Sequence, residues 1–270
     1  MVLSSIAVRR EATAGTRPSG GPAAILFRNY KHYRRAWLWF VTGFAEPVLY
    51  LFSIGVGVGA LIPGFTYHGE TIEYAAFVAP AMLATSAMNG ALYDSTFQIF
   101  FKLKFLKTYD AVLATPMTTS DVARGEVAWA TIRSGIYGGF FLVVMLAMGL
   151  VGSWWALLAL PATVLVGLCF SGVGMALTTF MRSWQDFEYV QLAIVPMFLF
   201  SATFFPVTRY EGVVRWIVEA TPLYRAVVLL RELCTGLVTV QSAISVVYLT
   251  TFGLLGMLVV SRRLSRLLLR

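Results

Sequence analysis

Three ionisable side chains, Glu46, Asp94 and Arg133, interrupt stretches of the chain that are otherwise almost free of charge. Carboxylate and guanidinium groups in such surroundings either pair with one another or mark a wet path between helices, because a charge facing lipid at a helix centre costs about 2.5–3.5 kcal/mol on insertion scales. Glu46 precedes Pro47, which frees a backbone carbonyl and kinks its helix. At about 1.5 Å per residue the three lie roughly 10–14 Å from one membrane face, level enough for an ion-pair cluster. A Glu46–Arg133 pair could lock one packing of the helices and exchange partners during transport. It could equally be a static pair, or Arg133 could snorkel alone to the interface.

Other chemistry is poorly supplied. Cys169, Cys234, His32 and His68 have neither metal-ligand spacing nor a disulfide framework. A lipid-modifying enzyme needs a His, Asp or Glu cluster near an interface, and Glu211, Glu219 and His68 have no catalytic spacing. An ion-driven transporter or channel would carry polar residues along several spans or an inverted repeat of broken helices, against three buried charges and no repeat here. No GxxxxGK[ST] phosphate loop is present, and Gly55, Gly57 and Gly59 sit mid-stretch, where they suit close helix packing. The chain is therefore expected to be no enzyme, to bind no cofactor and to have no nucleic-acid partner.

The elements that would hold these charges belong to a membrane protein. Of the 270 residues 58% are hydrophobic and 13% charged, a balance that leaves no polar surface for a soluble domain. A span needs about 20 apolar residues, and the candidates are Trp37–Phe65, Tyr74–Tyr93, Ser134–Met181 (two spans, folding back at Gly152-Ser153-Trp154-Trp155), Tyr189–Thr208 and Leu233–Ser261. The expectation is an all-α polytopic fold of six transmembrane helices, with residues 37–262 as the transmembrane domain. Residues 1–22 read as a flexible tail and 263–270 as a basic tail that anchors to anionic lipid. Residues 23–36 read as an interfacial amphipathic helix with Leu26, Tyr30, Tyr33 and Trp37 on one face and Arg28, Lys31 and Arg35 on the other.

Of the 21 Lys and Arg, 16 fall in residues 1–36, 102–126, 182–188 and 262–270. The positive-inside rule then puts both termini in the cytoplasm. Between the fifth and sixth spans two short amphipathic helices, broken at Thr221-Pro222, either re-enter the outer leaflet or rest on it as a surface loop. Inside, Lys107–Glu126 forms a stub: Thr108 caps a brief helix with Asp110 in its first turn, Thr115-Pro116 ends it, and Thr119-Ser120-Asp121 starts the next span. Tyr109, Asp110, Val112 and Leu113 give this rod apolar faces that a bare linker does not need, which fits a partner's groove. Phe40, Phe44, Tyr50 and Phe52, with Met197, Phe198 and Phe200, could line a path for an amphiphile, or serve helix packing and lipid contact.

KTYDAVLATPMTTSDVARGEVAWA resembles the loop between spans two and three of ABC-2-type permeases, the membrane subunits of ATP-driven exporters. EPVLYLFSIGVGVGALI, FVAPAMLATSAMNGALYDSTF, FLFSATFFPVTRYEGVVRWI and TPLYRAVVLLR extend the likeness over nearly everything after residue 22. The wording is most similar to lipo-oligosaccharide exporters of the nodulation J type, with daunorubicin-resistance permeases more distant; Ala202 stands where many relatives have glycine and Glu211 where many have proline. The resemblance implies a bacterial-type inner (plasma) membrane permease that pairs with itself or a close relative. It also implies two ATPase subunits that hold ATP and Mg. The coupling helix then maps onto Thr108, Tyr109, Asp110, Ala111, Val112, Leu113 and Pro116, and an outer gate onto Phe204, Phe205, Pro206 and Trp216.

Overall fold

The computed structural model describes residues 21–35, 45–62, 64–67 and 69–268. The expected tail at 1–20, Trp37, Phe40, Phe44 and His68 lie outside the described residues. Helix α1 (Gly21–Arg35) is followed by α2 (Ala45–Gly55) and a two-stranded antiparallel hairpin, β1 (Phe65–Tyr67) with β2 (Glu70–Ile72), in which Phe65 faces Ile72. Then come α3 (Tyr74–Lys104), α4 (Thr108–Leu113), α5 (Thr119–Ala147), α6 (Trp154–Thr178), α7 (Asp186–Phe200), α8 (Gly212–Glu219), α9 (Pro222–Thr235) and α10 (Val240–Leu268). The hairpin is a small departure from the all-α expectation, turned by Gly69 at φ +87°.

Among the described residues four helices, α3, α5, α6 and α10, are long and apolar enough to cross a membrane. The axis of the bundle is α3, whose alanines (Ala75, Ala79, Ala84, Ala87, Ala91) are buried and let α5, α6 and α9 close around it. Packing of α6 on α10 is tighter still. A Cβ added at Gly256 would lie 2.5 Å from the carbonyl carbon of Gly172, and one at Gly172 would lie 2.6 Å from the carbonyl oxygen of Gly253. Small residues at such contacts replace the hydrophobic drive that lipid cannot supply. The expectation had placed close packing at Gly55, Gly57 and Gly59, yet a Cβ at Gly57 would meet nothing within 4 Å and one at Gly59 would meet its own helix at Gly55.

One expected span differs from the sequence reading; of the first, only residues 45 onward are described. The fifth, α7, has 15 residues, about 22 Å at 1.5 Å per residue against about 30 Å of hydrocarbon. It begins three residues before Tyr189 and ends at Phe200, where Ser201 bonds back to the Met197 carbonyl and Ala202 turns the chain at φ +55°. The α5–α6 fold-back is nearly as read, but its left-handed residue is Gly149 (φ +70°) and not Gly152, while Trp154 stands 96% exposed at the tip.

The break at Thr221-Pro222 is where the sequence put it. The Thr221 hydroxyl accepts the Tyr224 N–H, and Pro222 fills the first turn, where its missing N–H costs nothing. Apart from Arg225, helix α9 is buried from Leu223 to Cys234 against α3 and α10, so it is not a surface loop. Its partner α8 keeps Val213, Val214, Trp216 and Ile217 exposed.

Candidate functional site

The deep charges come together differently from the expected Glu46–Arg133 pair. Arg133 Nη1 lies 2.6 Å from Asp94 Oδ1, and both side chains are buried. The Tyr33 hydroxyl donates to the same carboxylate oxygen at 2.6 Å, and Arg133 Nε and Nη2 donate to the Tyr137 hydroxyl at 3.1 and 2.6 Å. The guanidinium is also walled by the rings of Tyr33, Tyr93 and Tyr137, with centroids 5.0–5.2 Å away. Asp94 wins because α3 and α5 pack directly on each other, with Gly90 admitting Tyr137. There α3 loosens into a π-helical turn, Asp94–Gln98, a distortion that often marks functional positions. Glu46 is exposed on α2.

Glu46 and Arg133 nonetheless share a wall. A cavity of about 720 Å³ lies between α2, α3, α5 and α7, with Glu46, Asn89, Arg133 and Gln191 among its polar lining and Tyr50, Ile194 and Phe198 among its apolar lining. Of the expected pathway residues, Tyr50 and Phe198 meet here, their ring centroids 5.9 Å apart. Met197 opens instead onto a second, more apolar cavity of about 570 Å³ between α6 and α7. Phe200 turns to Tyr210. The outer wall of the larger cavity is α7, of which no residue is buried. Its Phe187, Val190, Ile194 and Phe198 recur at helical spacing on the cavity side, with Val195 beside them, while Tyr189 lines the second cavity and Leu192, lining neither, is exposed. In the expected gate, Phe204 packs edge-on to Phe198 at 5.4 Å, Phe205 meets Tyr210 at 5.3 Å, and Pro206 opens the next short turn. Trp216 does not join them: it is 75% exposed on α8.

At the end of the bundle that carries α1, both faces of the stub are fixed. Lys107, at φ +45°, reverses the chain after α3, so Thr108 is the first helical residue and not the cap. Tyr109 is buried, and Val112 and Leu113 are partly buried against the cluster of Ile25, Ile99, Val122 and Leu264. The expectation had offered these three to a partner, but they seat the stub on its own protein. What α4 leaves outward is Asp110 and Ala111, with Pro116 beyond it and Phe105 and Leu106 before it. The following helix starts at Thr119, as read, and Thr118 before it forms a reciprocal cap with Asp121.

Sequence reasoning missed the charge beneath the stub. Glu126 is buried and accepts from Arg28 Nη2 at 2.7 Å, Asn29 Nδ2 at 2.9 Å and Lys102 Nζ at 2.7 Å, which ties α1, α3 and α5 together. Arg28 therefore turns inward, and α1 docks through Ile25, Asn29 and Tyr33 instead of the Leu26–Tyr30–Tyr33 stripe, with Tyr30 left exposed. Gly125 permits the approach, since a Cβ there would meet Ile25 at 2.7 Å. Burial and the Glu126 charge push the Tyr109 phenol well above its ordinary range. Also missed was an aromatic stair on one face of α3. Tyr93, Phe97, Phe101 and Phe105 stack at successive centroid distances of 5.2, 5.0 and 5.1 Å, and their spacing of four was the available signal.

The arrangement is that of a helical membrane protein with a seated knob at one end and a polar-walled cavity within. Residues 23–235 match the model of the family described as "ABC-2 type transporter". The chain is similar to Nodulation protein J of Rhizobium leguminosarum bv. viciae, at 32% identity over 94% of this chain and 98% of that protein. It is also similar to the proteins of the same name from R. leguminosarum bv. trifolii (33% identity, 79% of this chain and 80% of that protein) and Rhizobium meliloti strain 1021 (31%, the same shares). With four membrane-length apolar helices and a family match over most of its length, the chain is an integral membrane component of a transporter and belongs to the ABC-2 type transporter family.

Proposed function

We propose that the chain is the permease of an exporter driven by a separate ATP-hydrolysing subunit. Two ATPase copies, holding ATP and Mg, press on the α4 stubs of two permease copies from the cytoplasm, where the basic end of the bundle lies in the plasma (inner) membrane. An amphiphile enters the cavity between α2, α3, α5 and α7 and leaves past Phe204, Phe205 and Pro206. Among amphiphiles a lipo-oligosaccharide is favoured, a reading that rests on the likeness to Nodulation protein J. The second permease copy covers the outward face of α7, where Leu192 is exposed and lines neither cavity of the single chain.

One observation carries this reading. A six-residue helix is anchored by a buried Tyr109 and backed by the Glu126 network that joins three helices, so a push on its outer face reaches α1, α3 and α5 together. The test is co-purification of the ATPase subunit with the wild-type chain and with Asp110→Lys and Ala111→Glu. Both changes lie on the exposed face and should abolish capture while the permease stays folded. Equal capture by wild type and both variants would remove α4 as the docking knob.

A further inference from the structure

Nothing described so far explains how a push at α4 would move α7, which is joined to the bundle by so little. No residue of α7 is buried, and its far end is released by the bend at Ser201–Ala202. Its near end is different. Trp184, just before the helix, and Phe187, in its first turn, sit against the α3 stair: Phe97 lies 5.1 Å from Trp184 and 5.8 Å from Phe187, Phe101 lies 5.4 Å from Trp184, and Phe100 lies 5.1 Å from Phe187. The lowest ring of the stair, Phe105, is two residues from Lys107, where the chain turns into α4. The highest, Tyr93, stacks on Phe97 and walls the Arg133 guanidinium.

We propose that these rings form a mechanical joint: displacement of α4 reaches Phe105, passes along Phe101 and Phe97, and swings α7 through Trp184 and Phe187, so that the outer wall of the 720 Å³ cavity opens and closes. Stacked and edge-on rings resist sliding apart because their geometry is directional. Farther along α7 the ring contacts are fewer, Phe198 meeting Tyr50 at 5.9 Å and Phe204 at 5.4 Å, so the near end, with four ring contacts to α3, is the stronger hold. Phe97, Phe101 and Trp184 are thus positioning residues for transport, with no part in holding ATP. This rests on the permease reading above.

The experiment uses the full permease–ATPase complex in proteoliposomes. A cysteine replaces Gln191, which lines the cavity from α7, and the probe is a membrane-impermeant maleimide reporting its accessibility with no nucleotide and with ATP plus vanadate. The parent should show a labelling-rate ratio of at least fivefold between the two states. Phe101→Ala and Trp184→Ala should each bring that ratio to about 1 while the ATPase still co-purifies, and Phe101→Tyr, which keeps the ring, should restore it. A fivefold ratio that persists in both alanine variants overturns the joint and leaves the permease reading standing. Loss of the ATPase from the alanine variants also overturns it, because the rings would then be holding the stub's fold. A parent without nucleotide dependence overturns the permease reading together with the joint.

Discussion

Truncating Arg133 to methionine should destabilise the chain more than neutralising its partner by Asp94→Asn, and doing both should cost less than Arg133→Met alone. The pair is buried at 2.6 Å, and breaking such a pair by removing one member costs about 3–5 kcal/mol because the other is left uncompensated. The two members are not equally supported. After Asp94→Asn the guanidinium keeps two hydrogen bonds to Tyr137 and three ring faces, each face worth about 0.5–2 kcal/mol, so the loss falls near the lower bound, about 3 kcal/mol. After Arg133→Met the carboxylate keeps the Tyr33 hydroxyl as a donor, and the loss approaches about 5 kcal/mol. The double variant buries no charge, so it should cost about 2–3 kcal/mol, with a coupling energy of at least about 3 kcal/mol. Unfolding in mixed detergent micelles with increasing dodecyl sulfate measures all four corners of this cycle. Additive single losses would refute the pairing argument. Glu46→Gln belongs in the same series and should shift stability by less than about 1 kcal/mol, since its exposed carboxylate is not the arginine's partner.

Ala202 holds a left-handed conformation at φ +55°, so Ala202→Gly should raise the unfolding midpoint by the equivalent of about 1 kcal/mol; an unchanged or lower midpoint would argue against strain there. Tyr109 is buried beneath the stub beside Glu126, so Tyr109→Phe, which keeps the ring, should cost less than Tyr109→Ala, which should cost about 3–5 kcal/mol. Both are read from the same melts. Gly256→Leu should prevent accumulation of folded protein because even its Cβ would strike the Gly172 backbone, while Gly57→Ala, in open space, should be tolerated with a gain of up to about 1 kcal/mol. Fluorescence-detected size exclusion separates these two outcomes. Asp186 is held below the usual carboxylate range, chiefly by the backbone N–H groups of Arg182 and Ser183. Its ordering of the α6–α7 turn should therefore be complete above the ordinary carboxylate pKa and be lost as pH falls through the depressed value. Asp186→Ala should show that loss already at pH 7 in hydrogen exchange of residues 182–188.

Charge and proline were the legible parts of the sequence. The level of Asp94 with Arg133, the break at Thr221-Pro222 and the brevity of α4 all follow from local rules on charge, proline and capping. Facing directions were not legible, for a physical reason: where the surroundings are lipid, an inward and an outward side chain are equally apolar, and the hydrophobic period that orients a soluble helix vanishes. Hence the glycines that pack are not the glycines that cluster; on α4, six residues are too few for a period to show that Tyr109, Val112 and Leu113 face inward. The choice of Asp94 over Glu46 depends on which helices touch, and the end of α7 depends on a left-handed Ala202, which no propensity signals. Glu126 lay unremarked at the end of the stub because its three partners arrive from positions up to 98 residues away.

The central claim is that force made on a separate ATPase enters through α4. Vesicles containing the purified chain, a fluorescent lipo-oligosaccharide and ATP test it most directly when compared with vesicles that also contain the ATPase subunit. Movement of the lipid only when ATPase and hydrolysable ATP are both present, and its loss with Asp110→Lys, is the predicted result. Equal movement by the chain alone, without nucleotide, would contradict it.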